Sequence, residues 1–203
     1  MVSSMRQDAA DNRYAIVTAA RQLLLDEGPG VSMRTIAKAA KVGVATVTRH
    51  FPERIELLGA VGAQAVNDIA QVIDDHAVEF TVDTRKAWRS TVHAIGNLRL
   101  AALAQAIFMD SMQDPGVGPE RQGVVDKRAA ELREIYGGLL APAKRAKLCP
   151  ADLDPLEFHI SLGIVSRPLP AQAPDLLGQD RLTHKLIDTL LDGLEAQAHS
   201  AEY

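Results

Sequence analysis

Two short helical segments separated by about three residues constrain this chain more than any other feature of its sequence. Ser32 is a favourable N-cap for a helix that extends to about Ala40, and a second helix is predicted from about Val44 to His50. The break between them covers residues 41–43, and this spacing is typical of a helix-turn-helix. An ordinary hairpin of two helices in a helical bundle is the alternative interpretation of the same spacing.

The side chains of these two segments divide into an inward and an outward set. The apolar residues that can face inward, fill the corner or anchor the second segment are Ile36, Ala37, Ala40, Val42, Val47 and Phe51. The residues left facing outward on the second segment are Val44, Ala45, Thr46, Thr48, Arg49 and His50. A helix with such an outer face fits the major groove of DNA, which is about 12 Å wide.

The rest of the chain is predicted to be helical. The first seven residues are expected to fray, a helix runs from about Asp8 to the break at 28–30, and a long helix extends from Pro52 to about Glu79. Further helices are predicted near 83–96, 98–112, 119–146, 153–166 and 179–199, with loops at 114–119 and 167–174. No segment alternates with the period of a strand. We therefore predict an all-α fold, with an N-terminal three-helix domain at 8–58 and a C-terminal helical domain at 59–203.

Charge is unevenly distributed between these two parts. Residues 1–58 contain eight Lys/Arg and six Asp/Glu, a net charge of +2. Because the whole chain has 22 Lys/Arg and 26 Asp/Glu, residues 59–203 contain fourteen and twenty, a net charge of −6. This asymmetry fits a DNA-binding head on an acidic body, although chance would also produce it. The single cysteine, Cys149, excludes a disulfide framework and a cysteine-rich zinc site within one chain. Without a signal peptide or a long apolar run, the chain is expected to be cytoplasmic and free of membranes.

Residues 10–58 resemble the N-terminal domain of TetR-family regulators. The matching pieces are 19–20 (AA), 23–24 (LL), 26–28 (DEG), 31–37 (VSMRTIA), Ala40, 46–47 (TV) and 49–54 (RHFPER) followed by 57–58 (LL), of which RHFPER is the most specific. The resemblance implies a sequence-specific transcriptional regulator, by family default a repressor released by a small-molecule ligand. It also implies a homodimer that binds a palindromic operator in double-stranded DNA, with no cofactor or metal.

The resemblance also implies roles for individual residues. Ser32 and Arg34 would contact phosphates, 44–46 would face base edges, 48–50 would contact backbone or bases, and Arg54 would hold a phosphate. The complete set of predicted DNA-binding residues is Ser32, Arg34, Lys41, Gly43, Val44, Ala45, Thr46, Thr48, Arg49, His50 and Arg54.

Three positions depart from the family pattern. Lys41 occupies a turn position that is usually glycine, Thr48 a position that is usually tyrosine, and Val44 a position that is often polar or basic. Two outcomes are open for Lys41, a turn of different local shape or an additional phosphate contact. Because Val44 and Ala45 offer only apolar contacts to base edges, Arg49 is expected to carry more of the specificity than is usual in the family.

The C-terminal part is predicted to hold a ligand site and a dimer interface. The candidate ligand-binding residues, which suggest an adaptable apolar cavity for an apolar small-molecule effector, are Trp88, Leu103, Phe108, Met109, Met112, Tyr136, Phe158 and His159. Core packing is the alternative for all of them, and for His159 a hydrogen-bonded core histidine. The helices near 153–166 and 179–199 are where the family builds its dimer interface. The apolar stripe on the second of them (Leu182, Leu186, Leu190, Leu194, with Ile187 and Leu191) would serve both the subunit core and a partner, or the core alone.

Three other functional classes are alternatives. An enzyme is disfavoured because the sequence has no glycine-rich phosphate loop, nucleophile elbow or HExxH motif. Asp75, His76 and Glu79 could suggest a metal cluster, but they are expected to be solvated. Residues 42–49 are also similar to a LacI-type motif, but that family begins with the motif and continues into an α/β domain. A helical protein-interaction module without DNA binding remains open, since the three departures weaken the readout surface.

Overall fold

The computed structural model describes residues 2–111, 119–167 and 178–200, and within these ranges the chain is helical and contains no strand. The helices are α1 (Val2–Asp26), α2 (Met33–Ala39), α3 (Val44–His50), α4 (Arg54–His76), α5 (Glu79–Val82), α6 (Thr84–Gly96), α7 (Leu100–Ser111), α8 (Pro119–Arg145), α9 (Pro155–Val165) and α10 (Gln179–Ser200). The predicted all-α class is confirmed. None of these helices is long and apolar enough to cross a membrane.

The predicted helix boundaries differ from the structure by more than two residues at two places. The first helix begins at Val2 and not near Asp8, because the prediction followed the apolar period, which starts only at Ile16. The long helix predicted to reach Glu79 ends at His76, and Glu79 begins the separate short helix α5. Asp83 ends α5 in an extended conformation and caps α6 by accepting a hydrogen bond from the Lys86 amide at 2.9 Å. That cap requires the chain to leave the helical conformation just before α6.

The described residues form two compact units, and unit 1 takes residues 2–65 and 102–111. Its core is apolar and is supplied by α1, α2, α3, the first part of α4 and α7. The buried members of this core are Ile16, Val17, Ala20, Leu24, Val31, Ile36, Ala37, Val47, Phe51, Leu57, Leu58, Val61 and Leu103. The helix-turn-helix segment thus shares one core with the helix before it and the helix after it, which holds α3 in place.

Unit 2 takes residues 66–101, 119–167 and 178–200. In it α6 packs against α8, α9 and α10, and α9 packs against both α8 and α10. The largest side chains of this core are Trp88, Tyr136 and Phe158. Gly96 lets α6 approach α10 closely, since a Cβ at this position would lie 2.5 Å from the Cδ1 atom of Ile187.

Ion pairs join the polar edges of α6 and α10. Arg89 donates to Asp188 at 2.6 Å and to Asp192 at 2.7 Å, and His93 Nε2 lies 2.9 Å from the same Asp188 oxygen. The hydrogen bond from His93, followed by that from Arg89, lowers the pKa of the Asp188 carboxyl. These contacts fix the face that α10 turns towards α6 and leave its other face for solvent or a partner.

Candidate functional site

The first element of the helix-turn-helix is capped as predicted. Ser32 has an extended backbone (φ −73°, ψ 150°), and its Oγ accepts a hydrogen bond from the Thr35 amide at 3.0 Å. Ile36 and Ala37 are buried, whereas Arg34 is exposed. The hydroxyl of Ser32 is therefore engaged in holding α2, and the guanidinium of Arg34 extends from its outer surface.

The turn between α2 and α3 contains a strained residue. Lys41 lies in the left-handed region, with φ at 57°. Its amide donates to the Lys38 carbonyl at 3.2 Å, and the Val42 amide donates to the Ala37 carbonyl at 3.0 Å. This is the hydrogen-bond pattern that glycine usually supports at a helix end. Of the two outcomes left open by the sequence, the turn of different shape is not found, and Lys41 bears a conformational cost of about 1 kcal/mol.

Helix α3 presents its outer face as the sequence predicted. Val47 is fully buried, while Val44, Ala45, Thr48 and Arg49 are exposed and Thr46 and His50 are half-buried. The Thr48 hydroxyl donates to the Val44 carbonyl at 3.2 Å, so its proton is used within the helix. The side chain of Arg49 makes no hydrogen bond or ion pair with any other residue that the structure describes. The long, charged side chain on this face is therefore available to an external acceptor.

Two further predicted site residues at the end of the motif are partly enclosed. The Nε2 atom of His50 is buried and has no hydrogen-bond partner among the described residues. Arg54, the first residue of α4, donates a hydrogen bond to the Val31 carbonyl, just before α2. Arg54 thus links the start of α4 to the start of the helix-turn-helix, in addition to any contact with a phosphate.

Arg13, on α1, is not among the DNA-binding residues that the sequence predicts. In the structure its guanidinium lies 4.7 Å from the centre of the Phe51 ring, at the end of α3. This cation–π contact places a positive charge beside the candidate interface. No local signal could have revealed it, because the two residues are distant in sequence and meet only when α1 packs on α3.

The predicted ligand-binding residues do not form one group. Trp88, Tyr136, Phe158 and His159 lie together in unit 2, where the ring centres are 5.1 Å apart for Trp88–Phe158, 5.8 Å for Tyr136–Phe158 and 5.1 Å for Tyr136–His159. Leu103 belongs to the core of unit 1, and Phe108 and Met109 are exposed on α7. Met112 lies outside the described residues.

The aromatic cluster in unit 2 contains polar side-chain atoms of Trp88, Tyr136 and His159. Tyr136 Oη and His159 Nδ1 share a hydrogen bond of 3.1 Å, and Trp88 Nε1 is buried without a partner in the described part of the chain. Burial raises the pKa of Tyr136 and lowers the pKa of His159, so both side chains are held neutral. The described residues contain no group of three or more potential ligands close enough to hold a metal ion.

Helices α9 and α10 leave part of their apolar surface uncovered. Ile160 and Ile164 on α9 are 53% and 70% exposed, and Leu186 on α10 is 41% exposed. In contrast, Ile187, Leu191 and Leu194 of the predicted stripe are buried, and Leu182 and Leu190 are half-buried. The stripe therefore divides between a face in the core of unit 2 and a face that the described residues leave partly exposed.

The comparison with protein families matches the amino-terminal part of the chain. Residues 16–61 match the family described as bacterial regulatory proteins, tetR family. An HTH-type transcriptional regulator of Staphylococcus aureus (strain bovine RF122 / ET3-1) is 34% identical over 83 residues, which are 38% of this chain and 45% of the relative. A second, from S. aureus strain USA300, is 28% identical over 124 residues, 52% of this chain and 66% of the relative. The chain thus spans about half to two thirds of the length of these relatives.

Two solved structures share the fold along nearly the whole chain. A TetR transcriptional regulator from Streptomyces coelicolor has a TM-score of 0.64 and 22% identity, and the match covers 90% of this chain and 97% of that one. A TetR transcription regulatory protein from Mycobacterium vanbaalenii has a TM-score of 0.62 and 26% identity, with coverage of 94% and 98%. The helical body, and not only the amino-terminal domain, therefore has counterparts among solved structures.

Proposed function

Because the chain belongs to the TetR family of bacterial regulatory proteins through its amino-terminal domain, we propose that it is a sequence-specific transcriptional regulator. It binds a palindromic operator in double-stranded DNA as a homodimer, and a small molecule releases it. In this proposal residues 8–58 form the DNA-binding domain, and residues 59–203 form the regulatory and dimerisation domain. Such a protein acts in the cytoplasm, where the operator is, and has no catalytic role.

One observation supports DNA binding most strongly. The buried residues Val47 and Phe51 anchor α3 in the core of unit 1. The Arg49 side chain, in contrast, is exposed and makes no hydrogen bond or ion pair with a described residue. A helix held in this way can enter the major groove as a rigid element, and an unengaged guanidinium can donate two hydrogen bonds to one guanine. Arg34 and Arg54 would fix the register of the protein by binding phosphates.

The test is to select duplexes from a random pool with the purified protein and to sequence those that bind at moderate salt. We expect an enriched palindrome whose half-sites are separated by about 34–36 Å or a multiple of it. The Arg49→Ala variant should bind that palindrome about tenfold more weakly, since one good base contact contributes about 1–3 kcal/mol of discrimination. Its preference at the contacted base pair should also relax, which a fluorescence anisotropy titration on single-base variants of the duplex would measure.

Lys38→Ala is the matched control for the loss of one positive charge from the same unit. Lys38 is exposed on α2 and is not among the proposed contacts, so its removal should leave the base preference unchanged. If Arg49→Ala retained both the affinity and the base preference of the unaltered protein, Arg49 would have no part in recognition.

The effector site is proposed to be the aromatic cluster of Trp88, Tyr136, Phe158 and His159. The buried indole N–H of Trp88 lacks an acceptor among the described residues, and an unpaired buried donor costs about 1–3 kcal/mol. An apolar ligand that carries a carbonyl or carboxylate would satisfy it. Trp88 is the only tryptophan of the chain, so its fluorescence reports this cluster alone. A panel of apolar carboxylic acids that neither changes this fluorescence nor releases DNA would argue against the site.

A helical protein-interaction module without DNA binding is the alternative. Phosphate contacts release counterions, so the affinity of a DNA-binding protein falls steeply with salt concentration. A protein-only module would show no such dependence, and the selection would enrich no sequence.

A further inference from the structure

Three helices in the described part of the chain are followed by a basic residue in the left-handed conformation. These residues are Lys41 after α2, Arg99 after α6 and Lys147 after α8, with φ of 57°, 55° and 55°. A side chain with a Cβ is disfavoured in this conformation, and glycine is the usual occupant. A positive charge at the carboxyl end of a helix compensates for part of that cost by its attraction to the helix dipole. The dipole thus gives all three residues the same structural reason to be basic.

Lys41 and Lys147 are matched in detail. The Lys41 amide donates to the carbonyl three residues earlier at 3.2 Å and the Lys147 amide at 3.0 Å. The next amide in each case donates to the carbonyl five residues earlier, at 3.0 Å for Val42 and 2.9 Å for Leu148. They differ in location, since Lys147 lies in unit 2 and Lys41 lies in the turn of the helix-turn-helix, two residues before Gly43, the N-cap of α3.

We propose that Lys41 is a DNA phosphate contact, made from a turn position that is usually glycine. The proposal rests on the proposed function of DNA binding. The Lys41 side chain is exposed and has no hydrogen bond or ion pair with any described residue. When the first turn of α3 lies against base edges, the residue three positions before that helix lies beside the phosphate backbone that borders the groove. A lysine ammonium there binds a phosphate as a point charge, irrespective of sequence.

The Lys41→Gly variant should separate stability from DNA binding. Because glycine adopts the left-handed conformation without strain, the midpoint of thermal unfolding should rise by about 2 °C. Affinity for the duplex selected by the unaltered protein should fall about threefold to tenfold, and the slope of log affinity against log salt should decrease in magnitude by about 1. A duplex of unrelated sequence should lose affinity by a similar factor, since a phosphate contact does not depend on sequence. Fluorescence anisotropy at several salt concentrations measures all of these.

Three companion variants separate the effect of the lost charge on DNA binding from the effect of the relieved backbone strain. Lys147→Gly changes a residue with the same backbone conformation away from the interface, so it should leave DNA affinity unchanged. Lys41→Ala keeps the strain and removes the charge, so it should weaken DNA binding as Lys41→Gly does. Lys41→Arg keeps both the strain and the charge, so it should retain the affinity and the salt slope.

Two results would overturn the proposal while leaving the proposed function intact. In the first, the unaltered protein binds its selected duplex and Lys41→Gly binds it with the same affinity and salt slope. In the second, Lys41→Gly weakens binding and Lys41→Ala does not, which would assign the effect to the shape of the turn. If the unaltered protein binds neither duplex, the proposed function itself fails.

Discussion

Replacing both Ile160 and Ile164 with glutamate should dissociate the proposed homodimer into monomers. The two side chains lie one turn apart on α9 and are 53% and 70% exposed, and α10 adds the exposed Leu186. In a homodimer with two-fold symmetry this surface meets its own copy, so each substitution introduces two carboxylates into an apolar interface. Burying them unpaired costs far more than the apolar contact contributes. Sedimentation of the variant should therefore give the mass of one chain.

The same variant should bind the palindromic duplex about 10²–10⁴-fold more weakly than the unaltered protein. In the dimer the second amino-terminal domain binds at a high effective concentration once the first is bound, and the monomer loses this advantage. A duplex with a single half-site distinguishes this explanation from misfolding, because the variant and the unaltered protein should bind it equally well.

Val78 and Val82 provide the control for this experiment. They are also apolar, four residues apart and exposed, at 76% and 84%, but they lie at α5 and not on α9 or α10. Changing both to glutamate should leave the mass and the DNA affinity unaltered. A dimer that persists in the Ile160→Glu, Ile164→Glu variant would place the interface elsewhere on the chain.

Replacing Phe51 with alanine should destabilise unit 1 much more than unit 2. The ring is 1% exposed, fills the core beneath the end of α3 and carries the Arg13 guanidinium 4.7 Å from its centre. Loss of a buried phenylalanine costs about 3–5 kcal/mol, a large fraction of the roughly 5–15 kcal/mol that stabilises a whole domain. We expect hydrogen exchange at the amides of α1, α2 and α3 to accelerate much more than exchange in α8 and α10, and DNA binding to be lost.

Tyr14→Ala is the matched aromatic truncation in the same unit. Tyr14 is 67% exposed on α1, so its loss should change the free energy of unfolding by no more than about 0.5 kcal/mol. If amide exchange in α1–α3 of Phe51→Ala remained as slow as in the unaltered protein, Phe51 would not be the anchor of α3.

Most helix boundaries could be predicted because their signals are local. Ser32 caps α2 as expected, and the break at 28–30 separates α1 from it, with Gly28 and Gly30 at positive φ. The outer face of α3 was also predictable, since the buried Val47 and the exposed Thr48 and Arg49 follow from helical spacing alone. Helical spacing predicted only which side chains of α3 face outward, whereas the proposed roles of Ser32, Arg34 and Arg54 came from the resemblance to TetR-family regulators.

The assignment of apolar residues to a ligand site could not be predicted in the same way. Leu103 packs with unit 1 although it follows α6 of unit 2 along the chain, and Phe108 and Met109 are exposed. Apolar residues at helical spacing have the same pattern whether they face their own core, a partner or a ligand. The spacing fixes which residues share a helix face, but not what that face meets.

The sequence by itself determined most of the helices, the Ser32 cap of α2 and the outer face of α3, because each depends on residues within one or two turns of one another. Only the tertiary structure decided which buried polar atoms lack hydrogen-bond partners and which charged side chains already contact another residue. Arg13 over Phe51, Arg54 on the Val31 carbonyl, and Tyr136 with His159 are pairs of residues separated by more than twenty positions. Such contacts depend on how whole helices pack against one another, and that packing is fixed by the combined burial of many side chains and by no local signal.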